Sequence, residues 1–251
     1  MRLVALQVTL ASNRYNGWGT AGLAPFENPY VLVTRPALAG RDFVNELKAI
    51  SGVFRPLVCP AFEIEPSRYK CPPFDEAIFT SKAAVQNSPM GAGRRAWCVG
   101  PATAASAQEN GYDPVVGPGN ATDLVEVILN SESSGRLLHL RGENTHVNVI
   151  KTLKQRGFFA NEIVIYRKKI LQPVSTQIAE LENPGPVISP VFSSETVSII
   201  EKWPIDFSKI YFVAISDDVA ATATSLSPLK VISAKRPTLP SMLAAISLLI
   251  A

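Results

Sequence analysis

Four turns in this chain end an apolar run with hydroxyl side chains and then lead into a helix-like segment. They are Thr80-Ser81 after EAIF, VGPAT up to Thr103, FSSET with Ser193 and Ser194, and ISDD with Ser216. Turns of this kind can carry three chemistries. A serine with His and Asp partners is a nucleophile, a glycine-rich turn cradles phosphate, and hydroxyls beside free helix amides bind carboxylates or phosphates. No G-x-S-x-G elbow is present, so a hydrolase triad lacks its usual starting point. Neither G-x-x-x-x-G-K-[ST] nor a strand-borne G-x-G-x-x-G occurs, and VGPGNA is a lone loop fragment. Anion binding remains, beside the plainer role of Ser, Thr and Asp as the preferred N-caps of any helix. Four such turns facing one cleft favour the binding role.

Three other side chains could join them. Arg35 and Arg141 each end a strand-like run and could reach a carboxylate, or serve as surface and loop-bonding arginines. Tyr166 could donate a phenolic hydrogen bond, or simply pack. His139 lies between apolar neighbours in RLLHLRG and reads as a satisfied strand histidine rather than a base. His146 follows RGENT, with nothing to pair it with a nucleophile. Cys59, Cys71 and Cys98 form no C-x-x-C, and no H-E-x-x-H occurs, which argues against zinc. An odd number of cysteines fits reduced thiols in the cytoplasm. The net charge of +3 has no dense basic run beyond Arg167-Lys168-Lys169, which argues against nucleic acid and suits a small acidic ligand.

The elements that must position these residues alternate. With 47% hydrophobic residues against 18% charged, the chain can bury a substantial core. Strands are predicted at YVLVTRP, EAIFTS, RAWCVG, GRLLHLRGE, GPVISPVFSS, KIYFVAIS and LKVISAK. Helices are predicted at RDFVNELKAI, PATAASAQENG, ATDLVEVILN, HVNVIKTLKQRG, ETVSIIEKW, DDVAATATSL and TLPSMLAAISLLI. Strand–helix alternation implies parallel sheets covered by helices on both faces, with strand-to-helix turns along one edge. The longest apolar run, from Ser241, is too short to span a bilayer and reads as a buried terminal helix.

Two extended segments interrupt the alternation, at 57–66 and 161–171. They predict linker strands that cross as a pair, with 67–160 as one α/β domain and 29–56 plus 172–251 as a discontinuous second. A cleft would lie between them. Residues 1–28 carry two Arg and no acid before Glu27; they read as a loosely ordered extension rather than a secretory signal.

Taken in order, a series of motifs resembles the uroporphyrinogen-III synthase family. They are VLVTRP at Val31–Pro36, AIFTSKAAV at Ala77–Val85, CVGPATA at Cys98–Ala104, LLHLRGE at Leu137–Glu143, VIYRK at Val164–Lys168, PVFSS at Pro190–Ser194 and AISDDVA at Ala214–Ala220. The likeness runs from Tyr30 to the C-terminus. It implies two α/β domains joined by a two-stranded β linker, with no metal and no cofactor. It also implies a reaction: hydroxymethylbilane, a linear tetrapyrrole, loses water and closes to uroporphyrinogen III with inversion of ring D. Tyr166 matches the family tyrosine held to assist loss of the hydroxyl. Ser81, Thr103 and Ser194 match cleft positions. From AISDDVA only Ser216 carries over, because Asp217 and Asp218 would repel a polycarboxylate and are expected to cap their helix. Thr80, Ser193, Arg35 and Arg141 complete the expected substrate-binding set. A cytoplasmic monomer is expected, with hydroxymethylbilane synthase as the upstream donor of its substrate and with no nucleic-acid or membrane partner. A two-lobed α/β protein that binds a small anion without chemistry is the other reading.

Overall fold

The structure, a computed structural model, describes residues 25–144, 147–182 and 185–251. His146 and most of the N-terminal extension lie outside the described residues. The chain divides into two compact units. One runs up to Glu63 and resumes at Ile170–Ala251; the other is Ile64–Lys169.

The first unit holds β1 (Tyr30–Val33), α1 (Ala37–Lys48) and β2 (Arg55–Val58), then α6 (Ser175–Glu182), β9 (Val187–Val191), α7 (Ser194–Ile200), β10 (Ile210–Ala214), α8 (Asp217–Thr224), β11 (Lys230–Ser233) and α9 (Leu239–Ser247). Its sheet has the order β11-β10-β9-β1-β2, with parallel pairing. β1 is buried at all four positions, as expected of a strand covered on both faces. Leu32, Val191 and Phe212 pack with Val197, Ile200 and Val219 on the α7–α8 face. Val31, Val33 and Val213 pack with Phe43, Leu47, Met242 and Ile246 on the α1–α9 face. Leu57 and Val58, placed in a linker by the sequence, end β2 of this sheet. Phe26, placed in the loose extension, is bridged to Ile250 and meets Tyr211 edge-on at 4.8 Å.

The second unit holds β4 (Glu76–Phe79), α2 (Lys82–Gln86), β5 (Arg95–Cys98), α3 (Pro101–Glu109), β6 (Asp113–Val116), α4 (Ala121–Leu129), β7 (Leu137–Gly142), α5 (Val149–Gln155) and most of β8 (Ala160–Ile170). With β3 (Phe62–Pro66), its sheet has the order β3-β8-β7-β4-β5-β6. The pairs β4–β5, β5–β6, β4–β7 and β7–β8 are parallel. Beside β3 and β8, Leu171 donates its N–H to the Ala61 carbonyl and Ser67 donates to that of Ile165. As one number rises the other falls, so these two segments run antiparallel. Phe79, Cys98 and Leu140 pack with Val85 and Ala107 on one face. Ile78, Trp97 and Leu137 pack with Leu124, Ile128, Val149 and Leu153 on the other.

The helix ends follow the sequence signals. Gly111 and Gly157, with φ of 79° and 86°, stand just beyond α3 and α5, where an L side chain would be strained. Pro101 opens α3, where its missing N–H costs nothing. Two elements escaped the sequence pattern. β6 contains Pro114, tolerable because β6 is the edge strand. α6 is weakly amphipathic and buries only Leu181.

Candidate active site

In each sheet the chain reverses its direction of travel once. In the second unit, β4 is followed on one side by β5 and β6, while β7 lies on its other side. In the first, β2 lies on one side of β1 while β9 and β10 lie on the other. The carboxyl ends of β4 and β7, and of β1 and β9, are therefore topological switch points, where adjacent crossovers diverge and leave a crevice.

At the β4–β7 switch point, Ser81 is the N-cap of α2 and its Oγ accepts the Ala84 N–H at 3.1 Å. The same oxygen lies 3.0 Å from the Tyr166 hydroxyl on β8. Tyr166 is 7% exposed and packs with Phe79 and Leu140. It reaches Ser81 by crossing Gly142, its register partner at a β-bulge. A Cβ at residue 142 would lie 2.6 Å from Tyr166 Cζ and 2.8 Å from its hydroxyl oxygen, so only glycine leaves room for the ring. Thr80 points to the other face of the sheet, as strand alternation requires. Its Oγ1 is 3.3 Å from His139 Nε2. His139 is buried, and burial pushes its pKa down to about 4, so the ring is neutral near pH 7. The sequence expectation of a satisfied histidine is met at Nε2 but not at Nδ1, which is buried without a hydrogen-bond partner among the described residues.

Arg141 takes the loop-bonding role that the sequence left open. Its Nε and Nη2 bind the Glu162 carboxylate at 3.0 and 2.9 Å, and Nη1 donates to the Gly142 and Glu143 carbonyls at 2.9 Å. With every guanidinium nitrogen engaged, Arg141 clamps the strand end at the Tyr166 bulge. Thr103 sits in the first turn of α3, 5% exposed, and follows β5 rather than the switch-point pair.

At the β1–β9 switch point, Arg35 lies over the Phe192 ring at 4.4 Å, half-buried. Burial lowers its pKa, opposed by Glu46 and Asp42. Ser193 caps α7 by accepting the Thr196 N–H at 3.1 Å and lies 2.9 Å from Thr196 Oγ1. Ser194 Oγ lies 3.0 Å from Thr222 Oγ1, which also lies 3.0 Å from the Asp218 carbonyl. The single Thr222 proton serves one of these at a time. Ser216 stands at the N-cap of α8 without a side-chain capping bond, while Asp217 and Asp218 occupy the first turn. Those acids were expected to cap the helix; they act through its dipole instead.

Sequence reasoning missed Gly142 and the partnership of Thr80 with His139. The glycine in LLHLRG was the available signal, since a glycine inside a strand marks a bulge or a close approach. Elsewhere in the second unit, a depression of about 640 Å³ is lined by Phe74, Met90, Arg94 and Arg136 among others. Its cations are already engaged: Arg136 pairs with Asp75, and Arg94 covers Phe74 and binds the Gly91 carbonyl. Among the described residues no group of His, Cys, Asp or Glu could hold a metal ion, and no helix is long and apolar enough to cross a membrane.

The class these features define is an α/β protein of two units, each carrying hydroxyl-lined turns at a switch point. A family model described as uroporphyrinogen-III synthase HemD matches residues 42–244, and the chain belongs to that family. Among solved structures, the chain is similar to uroporphyrinogen-III synthetase from Helicobacter pylori. The identity is 17% and the TM-score 0.61, over 86% of this chain and 97% of that one. It is also similar to a mutant uroporphyrinogen III synthase from the extremely thermophilic bacterium Thermus thermophilus, with 15% identity and a TM-score of 0.50, over 86% and 96%. At these identities the likeness concerns the fold. A search of curated proteins returns no match.

Proposed function

We propose that this chain closes hydroxymethylbilane to uroporphyrinogen III, releasing water and inverting ring D, with Tyr166 as the catalytic residue. Family membership over residues 42–244 supports the reaction. The observation that carries the site assignment is the 3.0 Å contact between Tyr166 and Ser81 at the end of β4. The phenol lies 3.0 Å from a capping serine and crosses Gly142, where no side chain intervenes, and its remaining hydrogen-bonding capacity is assigned to the substrate. There it hydrogen-bonds the hydroxyl departing from ring A and leaves an azafulvene. A spirocyclic intermediate then lets ring D turn before closure. Phenols are weak acids, with a reference pKa of about 10, so hydrogen-bond assistance rather than full proton transfer is the contribution. Hydroxymethylbilane cyclises unaided to the uninverted isomer, so the enzyme's main task is to hold one folded conformation.

The substrate's carboxylates need donors. Thr80, Thr103, Arg35, Ser194 and Ser216 are assigned to them, supported by their positions at strand ends beside helix N-termini. Ser81 and Ser193 are assigned to shaping these turns, because both hydroxyls already serve as N-caps. We place the protein in the cytoplasm as a monomer supplied by hydroxymethylbilane synthase, a setting supported by its free thiols and by the instability of the substrate.

The test is to supply freshly made hydroxymethylbilane and resolve the product isomers chromatographically. Excess uroporphyrinogen III over the uncatalysed mixture is expected. A mixture identical to the uncatalysed one overturns the reading.

A further inference from the structure

His139 has no task in the function proposed above, yet its surroundings constrain it closely. It is 1% exposed on β7, in register with Ile78 of β4 and Glu162 of β8. Ile78 and Leu137 belong to the apolar cluster on its face of the sheet. Among the described residues Nε2 has one hydrogen-bond partner, Thr80 Oγ1 at 3.3 Å, and Nδ1 has none.

A neutral imidazole has one proton for two nitrogens. With the proton on Nδ1, a buried N–H would be left without an acceptor; with it on Nε2, the unpaired group is only a lone pair. Orphaned buried N–H groups are the rarer and costlier of the two. The proton therefore sits on Nε2 and points at Thr80. A hydroxyl oxygen that receives this bond keeps its own single hydrogen for a different direction. Thr80 is half-buried where β4 ends, so that direction opens at the β4–β7 switch point. Left alone, a threonine hydroxyl rotates and can accept or donate. Held from behind by an N–H donor, it keeps its proton and one lone pair, and toward a carboxylate, which can only accept, it donates that proton.

We propose that His139 is a positioning residue, fixed as the Nε2–H tautomer, which makes Thr80 a dedicated hydrogen-bond donor to a substrate carboxylate at this switch point. The inference rests on the reading that the β4–β7 turn holds the polycarboxylate substrate. It separates the adjacent hydroxyls by role. Ser81 faces the phenol on one side of the sheet, and Thr80 faces the substrate with an imidazole behind it on the other.

The first arm of the test needs no substrate. The chain has two histidines, so ¹⁵N-labelled histidine gives two imidazole patterns, and His139→Leu assigns one by its loss. At pH 7 the His139 pattern is expected to show Nε2 protonated and Nδ1 bare; the reverse overturns the proposal whatever the enzyme does. In the second arm, His139→Leu and Thr80→Val each raise KM about tenfold, the scale of one hydrogen bond to a charged group. Turnover at saturation should change by less than about twofold, and the double variant should be no worse than either single one. His139→Gln, whose amide N–H can stand where Nε2–H stood, should restore KM. Additive losses, or a Gln variant as poor as Leu, overturn the proposal. Should the Leu variant fail to fold, His146→Gln assigns the patterns by removing the other one, and the spectrum of the wild-type protein then decides. Should the wild-type protein make no excess of uroporphyrinogen III, the functional reading fails separately, while the tautomer is still read.

Discussion

The hydroxyls of the two units are tethered in different ways. In the unit Ile64–Lys169, Thr80 and Ser81 meet His139 and Tyr166, which lie 59 and 85 residues further along the chain on neighbouring strands. In the other unit, Ser193 meets Thr196 three residues away and Ser194 meets Thr222 twenty-eight residues away, both on helices. The first pair is anchored in a sheet, where strands are locked by a ladder of backbone bonds. The second is anchored on helices, Ser193 by a local cap in the first turn of α7 and Ser194 by Thr222 in the last turn of α8. A hydroxyl anchored in a sheet is oriented by the whole unit, and such orientation is what a positioning enzyme needs. A hydroxyl that caps a helix mainly stabilises that helix.

The largest effect that sharpens this contrast is in pH. Below pH 6.5 an unfolded histidine takes up a proton that buried His139 refuses until about pH 4. The unfolded chain therefore binds more protons in that window, and stability falls as pH drops through it, by up to about 3 kcal/mol. Urea titrations between pH 7 and 4 should show this slope, and His139→Leu should flatten it. An unchanged slope would mean that the sheet-borne partner is not the buried base described. Next comes Tyr166→Phe, which should lower kcat about 10²-fold, the low end of proton-transfer assistance, while the thermal midpoint holds. Unchanged turnover would return Tyr166 to a packing role.

Gly142→Ala should act on the same phenol from the opposite side. A methyl group that must move the ring should cost about 2 kcal/mol in stability and roughly tenfold in turnover, measured by denaturant titration and by the isomer assay. Smallest is the helix-borne pair. Ser193→Ala, which removes a capping bond, should cost about 1 kcal/mol. Ser216→Ala, with no capping bond to lose, should cost less than about 0.5 kcal/mol. Equal losses would erase the distinction between the two serines.

Much of the architecture was legible. Strand YVLV carries apolar residues at successive positions, which fits only burial on both faces, and the glycines beyond α3 and α5 announced their stops. β6 was not legible, because Pro114 argues against a strand until its edge position is known. Tyr166 and Ser81 were legible as candidates through the family resemblance. Their contact was not, since nothing in VIYRK or AIFTSK says that one meets the other. Arg141 shows the opposite case. An arginine at a strand end suits a carboxylate, and it found one, but the carboxylate was Glu162 of the adjacent strand.

What the sequence by itself determined was the alternation of strands and helices, and with it the parallel sheets and the edge along which the turns fall. Local periodicity suffices for that, because burying an apolar face is a property of neighbouring residues. Which hydroxyl meets which partner was decided only by the tertiary structure. Strand order places β7 and then β8 beside β4, and the missing side chain at Gly142 lets a phenol lie across a strand. Both depend on contacts between residues far apart in the chain, and no local pattern encodes those distances.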